Sequence, residues 1–362
     1  MRTLETRSGQ LQLPAFLPDA TRGAVKAVDA MDLQACGIQA VMVNILHLGL
    51  QPGVSVVAGA GGIHRFMGWP TTVFCDSGGF QTLWLERGPS KRPSISANGF
   101  VYRSGRHRKK QTPEKCIQRQ LQLGADVLFC LDHCTRLDDD PSSQQESVDN
   151  TVGWASKCKA TYEQQIEAGG VLKDSVKLFA VIQGGANRGL REQCAERLLS
   201  IGFDGFGFGG WPLDSDGRLS EMVYLVRELI PLEFPLHGLG IGRPDNLVRG
   251  AMAGYQLFDC VMPTRDARHQ RLYVLREGIE GVSAGDSFYT CISLKDEGYT
   301  RSDRPVDEGC DCLCCTRYTR AFLRHLFQAG DHSAHRLATI HNLRFYARIM
   351  ALLRKMTDDD GR

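Results

Sequence analysis

The sequence lacks the features that would place the protein in a membrane or outside the cell. No apolar run approaches the roughly 20 residues that a membrane-spanning helix needs. The first residues, MRTLETRSG, contain no apolar signal core, so we expect a cytoplasmic protein that does not bind membranes. A large net charge is also absent, because 43 basic and 41 acidic residues leave only +2. Local basic patches would therefore have to hold any nucleic-acid partner.

An even-numbered disulfide framework is absent as well. The sequence has 13 cysteines, and most lie singly within apolar runs, as Cys36, Cys75, Cys130 and Cys260 do. Free buried thiols in a reducing compartment fit this pattern better than a secreted, disulfide-bonded protein. The length of 362 residues allows one large domain or two of ordinary size.

Short apolar and β-branched runs alternate with amphipathic stretches along most of the chain. Strand–helix repeats of this kind predict a parallel sheet, and eight of them predict a closed TIM-type (β/α)8 barrel over residues 1–280. An open doubly wound sheet is the alternative, but no Gly-x-Gly-x-x-Gly turn follows the first run. The predicted strands are 15–21, 38–46, 71–77, 125–133, 176–183, 203–210, 234–242 and 257–263, and the predicted helices include 29–37, 112–123, 190–202 and 243–254.

Polar residues and glycines stand at the ends of several predicted strands. A barrel builds its active site at the carboxyl ends of its strands, so these residues would meet at one mouth. Each aspartate could instead cap the following helix. We favour a joint site because several polar residues share this position: Asp76, Asp132, Gln183, Gly209, Gly210 and Asp259.

Residues 281–362 differ in character, and we predict a zinc-binding helical subdomain that packs on the barrel. A strand is expected at 287–292, a charged loop at 295–309, and helices at 321–328 and 334–355. Four ligands close a tetrahedron around one structural zinc ion: Cys310, Cys312, Cys315 and His341. The alternative is a set of disulfides or buried cysteines with no ligand role. The apolar stripe of the last helix is more typical of an intramolecular core than of a dimer contact.

Several motifs, in order along nearly the whole chain, carry a resemblance to a known family. They include DSGGFQ from Asp76, FMGW from Phe66, FCLD from Phe129, VIQGG from Val181 and FDCVMPTR from Phe258. The closing Cys-x-Cys-x-x-Cys and the IHNLRFY string from Ile340 belong to the same set. Together they resemble the tRNA-guanine transglycosylases, also called queuine tRNA-ribosyltransferases, of the bacterial type.

The resemblance implies an enzyme that acts on tRNA in queuosine modification, as a homodimer with one zinc ion per chain. It exchanges guanine at position 34 of GUN-anticodon tRNAs for a 7-deazaguanine base. Asp259 would be the nucleophile, and Asp76 the general acid and base. The residues implied to bind the base are Asp76, Phe80, Asp132, Gln183, Gly209, Gly210 and Leu239. Those implied to bind tRNA are Pro263, Thr264, Arg265 and Arg268. Cys314 is not expected to be a ligand of the zinc ion.

The chain departs from the family pattern after Gly209-Gly210. Bacterial members usually continue with Leu-Ala-Val-Gly-Glu, whereas this chain reads Trp211-Pro-Leu-Asp-Ser-Asp-Gly217. The glutamate that helps to accept the aminomethyl group of the precursor base is missing, so we lean towards queuine as the incoming base. Asp214 and Asp216 could replace the missing charge, and Cys134 is typical of a pocket for a smaller base.

One basic segment and three alternative functions remain open at this point. The run 103–110 (RSGRHRKK) is predicted to be a surface loop that meets tRNA phosphates or is simply solvated. Base exchange on DNA or an unusual RNA would use the same acids. A non-catalytic partner subunit would lack the nucleophile, but Asp259 and Asp76 are both present. A metal-dependent barrel hydrolase would need histidine ligands at the strand ends.

Overall fold

Eight parallel strands form the centre of the computed structural model, which describes residues 3–85, 94–104, 107–136, 139–169, 175–276 and 288–359. These eight are β3 (Ala15–Pro18), β4 (Ala40–Asn44), β5 (Thr72–Asp76), β9 (Val127–Phe129), β10 (Lys177–Ile182), β11 (Gly205–Phe208), β12 (Leu236–Gly238) and β13 (Leu257–Cys260). The others are β1 (Thr3–Thr6), β2 (Gly9–Gln12), β6 (Ser94–Ser96), β7 (Gly99–Ser104), β8 (His107–Gln111), β14 (Arg271–Leu275) and β15 (Tyr289–Ser293).

Helices lie between and after the strands of the barrel. They are α1 (Ala30–Ala35), α2 (Ile45–Leu50), α3 (Val54–Gly59), α4 (Ile63–Met67), α5 (Thr82–Leu85), α6 (Pro113–Leu123), α7 (Pro141–Gly169), α8 (Arg188–Ile201), α9 (Glu221–Leu229), α10 (Pro244–Met252), α11 (Met262–Arg268), α12 (Leu313–Arg317), α13 (Arg320–Gln328) and α14 (His332–Asp359). None of the helices in the described ranges is both long and apolar enough to cross a membrane.

The barrel strands follow one another in chain order around the ring. The ladder runs from β4 through β5, β9, β10, β11, β12 and β13 to β3, and every pairing in it is parallel. A parallel bridge between Asp19 and Met42 joins β3 to β4, and the Ala20 amide donates to the Met42 carbonyl at 2.7 Å. The prediction of a TIM-type α/β barrel is therefore confirmed.

Successive side chains of each strand point alternately into the barrel, which they fill, and outwards, where they pack against the helices. Strand β4, with the sequence AVMVN, is buried throughout, which is the pattern of a parallel strand covered on both faces. Its Met42 belongs to the interior cluster, where Phe179 meets Phe74 and Phe129 edge to face at 6.2 and 5.6 Å. Its Val41 and Val43 belong to the cluster under the helices. The eight strand ends are thereby held on a rigid frame.

All eight barrel strands are shorter than predicted, and in two of them part of the excess belongs to the following helix. The prediction 38–46 included the start of α2, which begins at Ile45 because the Asn44 side chain accepts from the amides of Leu46 and His47. The prediction 257–263 included the start of α11, where Pro263 occupies the first turn. The long helix α7 was not predicted, and its mixed polar surface explains why the sequence pattern was weak.

The described residues of the basic run, 103–104 and 107–110, lie in two paired antiparallel strands, so the prediction of a loop was wrong for them. In these strands Arg103 pairs with Arg108, and Tyr102 pairs with Lys109. The run continues a strand that starts with the buried aromatic residues Phe100 and Tyr102, and pairing with this strand orders the basic segment.

The C-terminal helix α14 is anchored to the barrel along its length. Asn342 Nδ2 donates to the carbonyls of Pro263 and Arg271, both at 3.0 Å, and the Tyr346 hydroxyl donates to the Gly242 carbonyl at 2.6 Å. Strand β14 pairs with β15 across the predicted boundary at 280, which itself lies outside the described residues. The division into 1–280 and 281–362 therefore stays a prediction.

Candidate active site and metal centre

Asp76 is the last residue of β5, and its carboxylate is held by a neighbouring amide. Asn44 Nδ2 donates to Asp76 Oδ2 at 2.6 Å and to Gln81 Oε1 at 3.0 Å. The orientation of Asn44 is fixed because its other atom, Oδ1, accepts from Leu46 and His47 at the start of α2. Asn44 at the end of β4 thus positions the carboxyl group of Asp76 at the end of the neighbouring strand β5.

The surroundings of Asp76 raise the pKa of its carboxyl group to near neutral pH. Burial raises the pKa of Asp76 to about 7, and the negative charges of Asp132 and Asp259 act in the same direction. A carboxyl group with this pKa exists in both protonation states near pH 7, so it can donate a proton in one step and accept one in the next.

Asp132 and Gln183 form a buried polar pair after strands β9 and β10. Gln183 Nε2 donates to Asp132 Oδ2 at 2.8 Å, and Ser77 Oγ donates to Asp132 Oδ1 at 3.1 Å. Burial raises the pKa of Asp132, although these two hydrogen bonds oppose the shift. Within the described part of the chain, the buried Gln183 Oε1 has no hydrogen-bond partner. The pair can therefore serve both donors and acceptors of a flat polar ligand.

Two glycines allow this polar pair to approach the backbone closely. A Cβ on Gly79 would clash with Asp132 Oδ1, and a Cβ on Gly209 would lie 2.6 Å from Gln183 Nε2. Any larger residue at either position would displace the acid or the amide. The glycines of the DSGGFQ and Gly209-Gly210 segments are thus required by the geometry of the site.

Asp259 belongs to β13 and is held through one of its two oxygens. His237 Nε2 donates to Asp259 Oδ1 at 2.9 Å, and the Gly240 amide donates to the same oxygen at 3.2 Å. The Asp259 side chain is 20% exposed, whereas His237 is fully buried. The carboxylate therefore faces the mouth of the barrel and is anchored from inside it.

The other predicted base-binding residues lie at the same mouth. Phe80 follows β5 and is partly buried, and Leu239 follows β12, with its Cδ1 atom 3.1 Å from where a Gly207 Cβ would stand. Gly210 follows β11 and has a positive φ of 83°. Leu239 and Phe129 both lie against Gly207. The base-binding roles of Phe80, Gly210 and Leu239 stay predictions.

The predicted tRNA-binding residues divide into two groups. Pro263 and Thr264 are buried in the first turn of α11, where Thr264 Oγ1 donates to the Val261 carbonyl at 3.1 Å. Arg265 is exposed and Arg268 is partly exposed. Only the two arginines offer accessible groups to a phosphate, so the buried pair would position α11 without contacting RNA.

Three site residues were not predicted. Asn44, His237 and Asp19 lay inside predicted strands and were read as part of the sheet. Burial raises the pKa of Asp19, and the negative charge of Asp259 raises it further. Their signal was the same as that of Asp76, a polar side chain near the carboxyl end of a buried strand.

The segment after Gly210 folds into its own tight turn. Leu213 bridges to Leu219, and Asp214 Oδ1 accepts from the amides of Asp216 and Arg218, both at 2.9 Å. The Trp211 side chain is 47% exposed. Asp214 is therefore engaged by its own turn, and its charge is already partly compensated there.

A buried cation lies behind this segment. The Arg191 guanidinium donates to the carbonyls of Ile182 and Gly185 and lies 4.3 Å from the centre of the Phe208 ring. Its Nη2 atom has no partner among the described residues and lies 3.7 Å from where a Gly210 Cβ would stand. Burial lowers the pKa of Arg191 only to about 10, so it stays positively charged at neutral pH.

The C-terminal cysteines and His341 form a compact buried group that could hold a metal ion. The ligand atoms of Cys310, Cys312, Cys315 and His341 all lie within 4.8 Å of one another. Ligands about 2.3 Å from a tetrahedral ion stand about 3.8 Å apart, so the donor set fits a closed site. His341 Nε2 donates to the Tyr273 carbonyl at 2.6 Å, which leaves Nδ1 free to bind the ion.

The cysteines do not form disulfides. All 13 are free thiols, and Cys314 is buried beside the group without belonging to it. In the described residues, no second cluster of this kind stands at the barrel mouth, where a metal-dependent hydrolase would need one. Three soft thiolates and one imidazole are typical of a structural site with no open position.

Comparison with known proteins agrees with this geometry. The family model described as Queuine tRNA-ribosyltransferase matches residues 1–361. The chain is 37% identical to the queuine tRNA-ribosyltransferase of Syntrophobacter fumaroxidans over 97% of this chain and 88% of that protein. It is 35% identical to that of Halothermothrix orenii over 99% of this chain and 90% of that protein. It is also 32% identical to that of a Psychrobacter species over 99% and 89%.

Proposed function

Because the chain belongs to the queuine tRNA-ribosyltransferase family, we propose that it is a pentosyltransferase of queuosine modification. It exchanges guanine at position 34 of GUN-anticodon tRNAs for a 7-deazaguanine base. The observation that carries this proposal is the presence at one mouth of an anchored carboxylate, Asp259, and a carboxyl group of pKa about 7, Asp76. Two carboxyl groups with different surroundings are suited to a nucleophile and an acid–base catalyst.

In the first displacement, Asp259 attacks the anomeric carbon of the ribose. The bond between C1′ and guanine N9 breaks as the ester bond from the carboxylate to C1′ forms. Asp76 donates its proton to the departing guanine and becomes a carboxylate. The burial that raises the pKa of Asp76 to about 7 keeps a proton on this carboxyl group in part of the molecules near neutral pH, so that it is available for donation.

The second displacement reverses these steps with a different base. The incoming deazaguanine loses the proton of its N9 to Asp76, and N9 attacks C1′. The ester bond to Asp259 breaks, which restores both carboxyl groups to their initial states. Two inversions retain the configuration at C1′ and leave the RNA chain uncut.

The purine would be read by the buried polar pair. Asp132 accepts hydrogen bonds from the donors of guanine, and Gln183 together with the backbone at Gly209 and Gly210 serves its other polar edge. Phe80 and Leu239 would cover the two faces of the base after it leaves the anticodon stack. Arg265 and Arg268 would hold the phosphates next to the nucleophile.

The remaining assignments concern the metal, the assembly and the compartment. One zinc ion would fix the turn around Cys312 against α14, which is a structural role. We propose a homodimer in the cytoplasm. Basic residues of the paired strands β7 and β8, such as Lys109 and Lys110, are proposed as a second contact with tRNA phosphates.

The incoming base is proposed to be queuine or another complete deazaguanine, in preference to the aminomethyl precursor. A cationic side arm entering the wall beyond Gly210 would find Asp214 engaged by its own turn. It would also approach the buried Arg191 cation, whose Nη2 atom has no partner among the described residues. Two positive charges repel each other strongly in a buried setting. A side arm that is neutral, or whose charge lies farther from the base, needs no carboxylate at Asp214 and is not repelled by Arg191.

The proposed function is tested by exchange of labelled guanine into unmodified tRNA. We expect radiolabelled guanine to enter transcripts with GUN anticodons and to be displaced by deazaguanines. Control transcripts carry adenine at position 34 and should take up no label. Incorporation into DNA hairpins but not into tRNA would favour the alternative substrate, and absence of exchange with either substrate would contradict a catalytic role.

A further inference from the structure

His237 is a buried side chain that bonds the proposed nucleophile and that neither the motifs nor the proposed reaction uses. It occupies the centre of β12, is fully inaccessible to solvent, and packs with its ring edge to face against Phe74 and Phe129 at 6.0 and 5.6 Å. An imidazole in an otherwise apolar barrel interior is costly unless it has a partner. Its Nε2 atom has one, Asp259 Oδ1, at 2.9 Å.

The hydrogen bonds to Asp259 are distributed asymmetrically. Both donors that reach the carboxylate, His237 Nε2 and the Gly240 amide at 3.2 Å, bind Oδ1. Among the described residues, none donates to Oδ2. A carboxylate held through one oxygen has a fixed plane, and its other oxygen keeps its lone pairs for reaction.

From this asymmetry we propose that His237 is a positioning residue for the nucleophile and that Oδ2 of Asp259 is the attacking atom. The inference rests on the proposed function, since it assigns a task to the same carboxylate. His237 carries its proton on Nε2, because that nitrogen faces a carboxylate oxygen. The ring is held in this orientation by Phe74 and Phe129, so its N–H keeps the carboxylate in line with C1′ without touching the substrate.

A set of three variants separates the hydrogen bond from simple packing. His237→Leu keeps a similar volume and removes the donor. His237→Gln restores an N–H at about the position of Nε2, because its amide lies at the same distance along the side chain. His237→Asn carries the same amide group on a shorter side chain, which places it nearer the position of Nδ1 and out of reach of Asp259.

The measurement is the single-turnover rate at which the covalent tRNA adduct forms in the absence of an incoming base, read on denaturing gels. We expect His237→Leu and His237→Asn to slow adduct formation by about 10- to 100-fold, the effect of losing a charge-assisted hydrogen bond. His237→Gln should recover most of the rate. The dissociation constant for tRNA should stay within about threefold of wild type in all three variants, since His237 does not reach the RNA.

The outcomes distinguish this proposal from the proposed function. A wild-type protein that forms no adduct and exchanges no guanine overturns both. A wild-type protein that forms the adduct, together with a His237→Leu variant that forms it equally fast, overturns only the role of His237. If His237→Leu does not fold, as judged by thermal unfolding, the comparison of Gln with Asn decides: equal rates overturn the proposal, and a faster Gln variant supports it.

Discussion

Three carboxyl groups at one end of the barrel differ in what surrounds them. Asp259 is anchored by a histidine and a backbone amide, Asp132 by a side-chain amide and a hydroxyl, and Asp76 by an asparagine and a long bond from the Gly78 amide. Asp76 is also affected by the charges of the other two, which contribute to its high pKa. The same residue type can therefore serve as nucleophile, base reader and acid within one site.

The first prediction concerns the nucleophile. Asp259→Asn should reduce exchange to less than about one-thousandth of the wild-type rate, because an amide keeps the shape but is a far weaker nucleophile. The covalent tRNA adduct should disappear from denaturing gels while tRNA binding is retained. Asp149→Asn is a matched control, since Asp149 is exposed and pairs only at the surface with Arg197. Near-normal turnover by Asp259→Asn would remove Asp259 from the role.

The second prediction is a pH dependence set by Asp76. Its pKa of about 7 means that the proton needed by departing guanine is present below pH 7 and lost above it. The single-turnover release of guanine should therefore be level below about pH 7 and fall about tenfold per pH unit well above it. A rate that rises through pH 8 would show that another group protonates guanine.

Stability gives an independent measure of the same pKa. Because the folded-state pKa of Asp76 is raised from its ordinary value of 3.8 to about 7, the stability this group contributes is complete below the lower value and lost as pH rises to the higher one. Asp76→Asn cannot titrate. The melting temperature of Asp76→Asn minus that of the wild type should therefore be larger at pH 8 than at pH 5.

Loops and helix starts that follow the strands decide how each side chain is aimed. Asn44 caps α2 and thereby directs its amide at Asp76, whereas Pro263 and Thr264 start α11 and become buried. The turn beyond Gly210 bonds its own aspartate and leaves Trp211 half exposed. At this scale, local hydrogen bonds determine which of the motif residues reach a ligand.

The third prediction concerns this turn and the incoming base. Queuine should displace labelled guanine from the enzyme at least as well as 7-aminomethyl-7-deazaguanine does, because Asp214 is engaged by its own turn and the Arg191 cation lies behind the wall. Competition at equal concentrations measures the preference. An advantage of about tenfold for the aminomethyl base, roughly 1.4 kcal/mol, would contradict the proposed preference. Trp211→Ala should change this ratio more than exchange of guanine itself.

The barrel and the cysteine-rich segment are coupled in the whole molecule. Helix α14 contributes His341 to the metal-binding group, and one position later Asn342 bonds the backbone of Pro263 and Arg271. Arg336 of the same helix pairs with Asp32 in α1 at 2.5 Å. Loss of the metal would therefore loosen a helix that also supports α11 beside the active site.

The fourth prediction tests this coupling with a pair of neighbouring cysteines. Cys312→Ala should lose its zinc, measured as metal per chain, and should lower solubility and the melting temperature of the whole protein in one transition. Cys314→Ala should keep one zinc per chain and remain soluble, because Cys314 lies outside the metal-binding group. Full zinc content in Cys312→Ala would contradict the ligand assignment, and two separate melting transitions would contradict the coupling.

The sequence by itself determined the features that depend on local pattern and residue chemistry. Alternating strand and helix runs predicted the barrel, and the spacing of Cys310, Cys312 and Cys315 predicted a metal site. The acids at strand ends were predicted to share a site because parallel strands bring their carboxyl ends to one mouth. These inferences need only periodicity, spacing and composition, which a chain displays without its fold.

Only the tertiary structure decided which groups touch. Asn44 and Asp76 are 32 residues apart, and His237 and Asp259 are 22 apart, so their hydrogen bonds depend on strands brought together by closure of the barrel. Burial in that closed barrel, which no local pattern specifies, raises the pKa of Asp76 and hides Thr264 from solvent. Strand pairing likewise gave the basic segment its strand structure, because Lys109 and Lys110 pair with Tyr102 and Val101, which lie outside the basic run.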